Sequence, residues 1–179
     1  MRLFIAVDLD EELKTRLDEL SAAIERQLPY ARRTRRENYH LTLAFIGEST
    51  RAGELMTLLG GFDAPAFELR FSKLGRFKRA GGDVLWLGAE PCPPLLTLQK
   101  RLAEALRAQG FVIEQRPFRP HLTLLREAAA QGFDERAYGA SLPAFTQTVR
   151  GVSLFCSERQ AGRLVYTELY RRALGAAHV

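Results

Sequence analysis

The chain has 179 residues, 46% of them hydrophobic and 26% charged, which is typical of one globular domain or of two small lobes that share a core. No apolar run approaches the ~18 residues of a membrane helix, and the chain turns acidic at Asp8, too early for a signal peptide. We therefore expect a cytoplasmic protein. Cys92 and Cys156 lie far apart and lack metal-ligand spacing, which argues against a disulfide framework and a zinc site.

The net charge of +5 comes mainly from arginine, because only four of the 26 basic residues are lysines. A basic surface attracts polyanions, and the planar guanidinium group binds phosphate through two parallel hydrogen bonds. The charge therefore favours a nucleic acid or a nucleotide as the binding partner, although genome composition can also enrich arginine.

The first part of the chain predicts a strand, a helix and two further strands. Residues 3–8 form an apolar run typical of a strand, and residues 10–28 carry large apolar side chains at the three- and four-residue spacing of a helix. The tetrapeptide His-Leu-Thr-Leu at 40–43 predicts the next strand, and 67–77 predicts another after a polar stretch.

The second part of the chain repeats this order. Residues 84–87 predict a strand, and residues 94–109 predict a helix that is closed by Gly110. The same tetrapeptide returns at 121–124, after which we expect a polar stretch and strands near 147–156 and 163–170. The tail, 175–179, is expected to fray.

The two identical tetrapeptides, with histidines at 40 and 121, are the strongest sign of an internal duplication. We expect one domain, 1–179, whose intertwined lobes come from a repeat of approximately 2–78 and 83–158. An approximate twofold axis would relate the lobes, and each lobe would contribute one His-x-Thr strand to a shared cleft. Successive side chains of a strand alternate between its faces, so each histidine lies beside its threonine while the leucines face the core.

Paired imidazoles suit a reaction in which one proton is removed while another is delivered. The unperturbed pKa of histidine is about 6.5, so near neutral pH one ring can act as base and the other as acid. Hydrolysis of a phosphodiester needs this pair, because water loses a proton, the leaving sugar oxygen gains one, and charge grows on the phosphoryl oxygens. Thr42 and Thr123 would donate hydrogen bonds to those oxygens.

The motifs allow three other interpretations. A single His-x-Thr is more often a packing or surface feature, but two identical copies argue against this. A metal site is disfavoured because two histidines are too few and no Asp or Glu stands at ligand spacing beside either one. A Ser or Cys nucleophile is disfavoured because no matching motif occurs.

Several segments, taken together with the two motifs, resemble the 2H phosphoesterase superfamily, and most closely its LigT/ThpR-like RNA 2′,3′-cyclic phosphodiesterases (2′-5′ RNA ligase family). The segments are RLFIAVDL, ENYHLTLAFIGE, DVLWLG, RPFRPHLTLLR, LFCSE and YTEL. The resemblance implies an α+β, bilobal fold with two pseudo-twofold-related lobes, whose antiparallel sheets line a central cleft with the helices outside. It also implies metal-independent hydrolysis of RNA 2′,3′-cyclic phosphate ends to 2′-phosphomonoesters, without a cofactor.

In that family His40 would donate a proton to the departing 3′ oxygen, and His121 would accept a proton from water. Thr42 and Thr123 would bind the phosphate. Arg126 matches the family's second motif, but strict alternation places it on the leucine face, so it reaches the phosphate only if the strand ends or bends. Further candidate substrate contacts are Arg119 and Phe118, just before His121, and Arg36 in the basic loop 32–36, for which a solvated charged loop is the alternative.

Two classes of function follow from the sequence. The first is an enzyme that acts on RNA ends with a 2′,3′-cyclic phosphate or on small cyclic nucleotides, with reverse 2′-5′ ligation permitted by microscopic reversibility. The alternative is a non-catalytic module that binds RNA ends or nucleotides. We expect a monomer and no association with a membrane.

Overall fold

The computed structural model describes residues 1–175 of the chain. The strands in this part are β1 (Arg2–Asp8), β2 (Arg32–Arg33), β3 (His40–Glu48), β4 (Phe67–Phe77), β5 (Asp83–Ala89), β6 (His121–Ala128), β7 (Phe145–Val149), β8 (Gly151–Gln160) and β9 (Arg163–Ala173). The helices are α1 (Glu11–Glu25), α2 (Ala52–Gly60), α3 (Pro93–Ala108) and α4 (Glu135–Ala140). Among them, no helix combines the length and apolar character needed to cross a membrane.

The strands form two antiparallel sheets that are built on one plan. The first sheet has the order β3-β1-β8-β9, and the second has the order β2-β6-β5-β4-β7. Strand β3, which carries the first tetrapeptide, lies at the edge of the first sheet beside β1. Strand β6, which carries the second tetrapeptide, lies beside β5 in the second sheet, and only the short strand β2 lies outside it. The predicted α+β, bilobal fold is therefore confirmed.

The two sheets are not made from the two halves of the sequence. Strand β4 comes from the first half but pairs with β5 and β7 in the second sheet. Strands β8 and β9 come from the second half and complete the first sheet beside β1. Each sheet therefore needs residues from both halves of the chain.

Each sheet has one face in the hydrophobic core and one face toward a cleft. In β1, Leu3, Ile5 and Val7 are fully buried in the main core, whereas Phe4 and Ala6 belong to a small separate cluster on the other face. This alternation is the period of two that a strand imposes. The apolar residues anchor the strand, and the intervening positions are left for the cleft.

The two long helices confirm the periodicity predicted from the sequence. Helix α1 starts at the N-cap Asp10, whose side chain accepts a hydrogen bond from the Leu13 amide at 2.8 Å. It ends at Glu25, before the predicted limit of 28, and contacts β6, β2 and β7. Helix α3 contacts β3, and Gly110, with φ +77°, follows its end as predicted. Thus α1, from the first half of the chain, packs on the second sheet, which carries the second tetrapeptide. Helix α3, from the second half, packs on the first sheet, which carries the first tetrapeptide.

The prediction of one strand at 147–156 is wrong. The chain forms β7 in the second sheet, leaves it at Arg150, and begins β8 in the first sheet at Gly151. A Cβ at position 151 would lie 2.9 Å from Nε of Arg171, so the guanidinium group packs close to the backbone at the crossing. Alternating burial in β7 gives way to a run of buried residues in β8, and this change marks the crossing.

The two stretches predicted only as polar contain helices. Leu55, Leu58 and Leu59 of α2 are buried, but the side chain of its N-cap Arg51 accepts no hydrogen bond from the backbone amides of the first turn. The sequence signal was weak because glycine stands within this helix and at its end, and glycine is a poor helix former. Helix α4 has only six residues, capped by Asp134.

Candidate active site

The two tetrapeptides open strands β3 and β6 and adopt the same conformation. In each of them the histidine and the threonine are partly accessible, whereas Leu41 and Leu122 are fully buried. His40, Thr42 and Thr123 line one cleft, and His121 stands on the same face of β6 as Thr123, as the alternation of a strand predicts. The leucines fix the two strands to the core and so hold the polar pairs in place.

A bulge in each strand turns one more side chain into the cleft. In β3, Thr42 is opposite Ala6 and Ala44 is opposite Ile5, which leaves Leu43 as an extra residue. In β6, Leu124 is the extra residue, because Thr123 pairs with Trp86 and Leu125 pairs with Leu85. Two consecutive buried residues therefore follow each threonine, and the next side chain points outward.

The side chains that the bulges expose are Phe45 in β3 and Arg126 in β6, and both line the cleft. The bend that Arg126 requires is therefore present. Phe45 was not predicted, although it stands as far after His40 as Arg126 stands after His121. Its side chain is 43% exposed, and the Arg2 guanidinium lies 4.9 Å from its ring centre, a cation–π contact.

Both histidines are oriented by a backbone carbonyl two residues earlier. His40 Nδ1 donates to the Asn38 carbonyl at 2.7 Å, and His121 Nδ1 donates to the Arg119 carbonyl at 2.6 Å. Because a carbonyl can only accept, Nδ1 carries the proton and Nε2 is left for chemistry in the neutral ring. At His40 this Nε2 accepts a hydrogen bond of 3.0 Å from the Thr42 hydroxyl.

Aromatic side chains enclose each imidazole. Phe4 and Tyr166 lie 4.8 Å and 5.1 Å from the His40 ring, measured between ring centres. Phe77 and Trp86 lie 5.1 Å and 5.9 Å from the His121 ring. These neighbours come from strands β1, β9, β4 and β5, and none of them was predicted to belong to the site. Their signal in the sequence is only an aromatic residue at a cleft-facing position of a strand.

Burial lowers the pKa of both histidines. The pKa of His40 falls to about 4, mainly because the surrounding side chains remove water from the charged ring, with a further decrease from the positive charges of Arg126 and His121. The Asn38 carbonyl and Asp8 act in the opposite direction. The pKa of His121 is also lowered, first by burial and then by the charge of Arg126. Both rings are therefore neutral in the ligand-free protein at pH 7.

The cleft has a volume of about 800 Å³ and residues of both sheets line it, including His40, Thr42, Thr123 and Arg126. Arginine is its commonest lining residue. Arg32 and Arg33 form ion pairs with carboxylates, at 2.6 Å to Glu127 and 2.9 Å to Glu25. Within residues 1–175, the lining arginines without a carboxylate within 4.0 Å are Arg2, Arg126, Arg159 and Arg163.

Comparison with known proteins identifies the family. A model of the 2′-5′ RNA ligase superfamily matches residues 9–163. The chain belongs to this superfamily. It is 35% identical to the RNA 2′,3′-cyclic phosphodiesterase of Escherichia coli (strain K12), over 97% of this chain and 96% of that protein.

Solved structures of the superfamily agree. The crystal structure of E. coli LigT in apo form gives a TM-score of 0.79 at 31% identity, and E. coli LigT complexed with 3′-AMP gives 0.77 at 32% identity. In each case the match covers 97% of both chains. The resemblance inferred from the sequence is thereby confirmed.

The remaining predicted residues of this superfamily member lie at the edge of the site or outside it. Arg36 does not line the cleft, because its guanidinium binds Glu11 at 2.8 Å and Thr15 at 3.0 Å on α1. Phe118 packs against the main core, and Arg119 acts through its carbonyl on His121. The contacts of Arg36 and Phe118 thus do not support a role in substrate binding, and Arg35 lines the cleft instead.

The described residues offer no cluster of metal ligands. Within the described part of the chain, no group of three or more His, Cys, Asp or Glu side chains is arranged to hold a metal ion. Both cysteines are free thiols, and only Cys156 is fully buried.

Proposed function

We propose that this protein hydrolyses the 2′,3′-cyclic phosphate at the 3′ end of RNA and leaves a 2′-phosphomonoester. The observation that carries the proposal is the pair of His-x-Thr strands: His40, Thr42 and Thr123 line one arginine-rich cleft, His121 lies close enough for its charge to act on His40, and each Nδ1 bonds a backbone carbonyl. It is supported by relatives named RNA 2′,3′-cyclic phosphodiesterase, one of which aligns with 97% of the chain.

In this reaction water attacks phosphorus, and the bond from phosphorus to the 3′ oxygen breaks. His121 Nε2 takes a proton from the attacking water, while His40 Nε2 gives a proton to the departing 3′ oxygen. The new P–O bond comes from water, and the phosphate stays on the 2′ oxygen. Proton exchange with solvent then restores both rings.

The protonation of His40 depends on the substrate. With a pKa of about 4, the ring is neutral at pH 7 in the ligand-free protein. A phosphodiester anion bound beside Nε2 favours the charged imidazolium and supplies the opposite charge that the buried site lacks. The acid is therefore formed when the substrate binds, and Thr42 then turns its hydroxyl from His40 to the phosphate.

Three groups stabilise the charge that develops on the phosphoryl oxygens. Thr42 and Thr123 donate hydrogen bonds from the two walls, each worth about 2–4 kcal/mol by analogy with oxyanion-hole donors. Arg126, which has no carboxylate partner among residues 1–175, adds a full positive charge. Phe45 offers a flat surface on which the terminal base stacks.

No step of this scheme requires a metal ion. With the 5′ hydroxyl of a second strand in place of water, the same proton transfers break the bond from phosphorus to the 3′ oxygen and form a 2′-5′ phosphodiester, so 2′-5′ ligation is expected at high concentrations of ends. Small 2′,3′-cyclic nucleotides contain the same reacting group and are expected to be hydrolysed as well.

The test is a mass spectrum of an RNA oligonucleotide with a terminal 2′,3′-cyclic phosphate after incubation with the protein. We expect the mass to increase by one water, with the phosphate on the 2′ oxygen, in the presence of EDTA. His40→Ala and His121→Ala should each lower turnover by about 10² to 10⁴ without loss of fold. Binding without a change in mass would instead indicate a non-catalytic module, and loss of activity with EDTA would contradict the metal-free scheme.

A further inference from the structure

The hairpin β8–β9 extends beyond the first sheet and forms one wall of the cleft. Its two-residue turn, Ala161–Gly162, has positive φ at both positions (48° and 77°), which matches the twist of a tight hairpin. Arg159 and Arg163 flank this turn and line the cleft. Both arginines are exposed, and neither has an acidic partner within the described chain.

Asn38 connects this hairpin to His40. Its carbonyl accepts the hydrogen bond from His40 Nδ1 at 2.7 Å, and its side-chain Nδ2 donates to the Leu164 carbonyl of β9 at 3.0 Å. The residue is only 8% exposed, so both bonds are shielded from water. One residue thus spans the distance between the reacting imidazole and the hairpin wall.

A second contact joins the same two parts. Tyr166, two residues after Leu164, places its ring edge-on against His40, with 5.1 Å between ring centres. Strands β3 and β9 are opposite edges of the first sheet, so these contacts bridge its two edges across the cleft. A displacement of β9 therefore acts on His40 from two sides.

The structure of the substrate determines which of its groups lie near the hairpin. A 2′,3′-cyclic phosphate stands at the 3′ terminus, so every additional nucleotide lies on its 5′ side and brings one more phosphate. The carboxylate-free arginines of the hairpin suit such phosphates, since the guanidinium fork binds them through two hydrogen bonds.

We propose that Arg159 and Arg163 bind the RNA backbone 5′ to the terminal cyclic phosphate, and that Asn38 is a positioning residue that makes the orientation of His40 depend on this hairpin. This inference rests on the proposed function and specifies its substrate class, namely oligonucleotides in preference to single cyclic nucleotides. The preference combines tighter binding at the hairpin with better alignment of His40.

The first test compares a 2′,3′-cyclic mononucleotide with a pentanucleotide that ends in the same cyclic nucleotide. We expect the wild type to show a higher kcat/KM for the pentanucleotide. Arg159→Ala/Arg163→Ala should reduce this preference by about tenfold, mostly through KM, because two phosphate contacts are lost. The control Arg107→Ala/Arg136→Ala removes the same charge outside the cleft and should keep the preference.

The second test uses Asn38→Ala, which keeps the carbonyl that accepts from His40 but removes the bond to Leu164. We expect kcat on the pentanucleotide to fall by about 10- to 100-fold with a small change in KM. The ¹⁵N spectrum of the His40 ring should show weaker protection of Nδ1–H. A thermal melt checks the fold, and if Asn38→Ala does not fold, the exposed arginine variant decides the inference alone.

The outcomes separate the two proposals. If the wild type hydrolyses neither substrate, the proposed function is wrong. If it hydrolyses both, and the arginine variant keeps the wild-type preference, the hairpin does not bind the upstream backbone. Wild-type kcat in a folded Asn38→Ala protein would remove the positioning role.

Discussion

The contacts around His40 determine both the protonation and the orientation of its imidazole ring. Its two ring nitrogens are engaged by the Asn38 carbonyl and the Thr42 hydroxyl, and Phe4 and Tyr166 cover its faces and edge. These contacts remove water from the ring and make the imidazolium costly until an anion binds. The same contacts hold Nε2 in one direction, which lowers the entropic cost of the reaction.

The pKa of His40 should therefore rise when a phosphate binds. We expect a 2′-phosphomonoester such as 2′-AMP to raise it from about 4 by about 1 to 3 pH units, because an opposite charge within hydrogen-bonding distance favours the protonated ring. NMR titration of the imidazole signals, assigned with His40→Gln, measures the shift. An unchanged pKa at saturation would show that the anion does not lie beside this ring.

The buried imidazole also predicts how stability depends on pH. In the unfolded chain the pKa of His40 is about 6.5, whereas in the folded protein it is about 4, so only the unfolded state takes up a proton between these values. The free energy of unfolding should fall as the pH is lowered from 6.5 to 4, by about 3 kcal/mol from this group. Urea unfolding at several pH values measures the slope.

His40→Gln is the control for this slope, because it cannot take up a proton. Its free energy of unfolding should decrease less steeply than that of the wild type between pH 7 and pH 4.5. Equal slopes would mean that His40 titrates normally in the folded protein. His121 contributes in the same direction, since its pKa is also lowered.

At the scale of elements, two glycines of the second sheet allow the Trp86 ring to pack flat on the sheet next to His121. Trp86 lies across Gly75 and Gly88, where an added Cβ would be 2.2 Å and 2.8 Å from the ring. Larger residues at either position would push the indole away from the sheet, toward His121 and the cleft. The glycines of β4 and β5 thus set the depth of this wall.

Gly75→Ala should displace the Trp86 ring and disturb His121. Trp86 is the only tryptophan of the chain, so its fluorescence reports this movement without interference. We expect a shifted emission maximum. We also expect turnover to fall by about tenfold, because His121, the general base, is no longer aligned with the attacking water. Gly53→Ala in α2 is the control, since nothing lies within 4 Å of its added Cβ, and both properties should stay as in the wild type. An unshifted spectrum in Gly75→Ala would contradict the flat packing.

The sequence predicts elements better than it predicts their connections. Helices α1 and α3 and strand β4 follow from periodicity, because burial of one face imposes a regular pattern on the residues. The bulges at Leu43 and Leu124 do not, since they depend on the partner strand's register. The two histidine motifs are recognisable because they are identical, whereas Phe45 enters the cleft only because of the bulge in β3, and Tyr166 reaches His40 from β9 through a tertiary contact that no local pattern encodes.

At the scale of the whole molecule, each sheet combines strands from both halves of the chain. Strand β4 leaves the first half for the second sheet, and β8 and β9 return to the first sheet. The cleft therefore forms only when the halves have assembled, and its two histidines cannot be separated into independent lobes. The internal repeat of about 2–78 and 83–158 stays a prediction that is compatible with this exchange.

This exchange predicts that neither half folds alone. A chain cut after Arg79, in the turn between β4 and β5, gives one fragment with β1 and β3 but without β8 and β9. The other fragment has β5 and β6 but lacks β4, which pairs with β5 and β7. Each fragment leaves strand edges and buried leucines exposed, so we expect no cooperative thermal transition from either one.

Mixing the two fragments should restore both the circular dichroism spectrum and the hydrolysis of a cyclic phosphate, because the missing strands are then supplied in trans. A chain cut between Ala161 and Gly162, at the tip of the hairpin, is the matched control. This cut leaves the strand order of both sheets unchanged, so the nicked protein should keep its fold while the hairpin wall loosens. A sharp melting transition in either fragment alone would show that a lobe is self-sufficient, and the intertwined arrangement would then not be what holds the two histidines together.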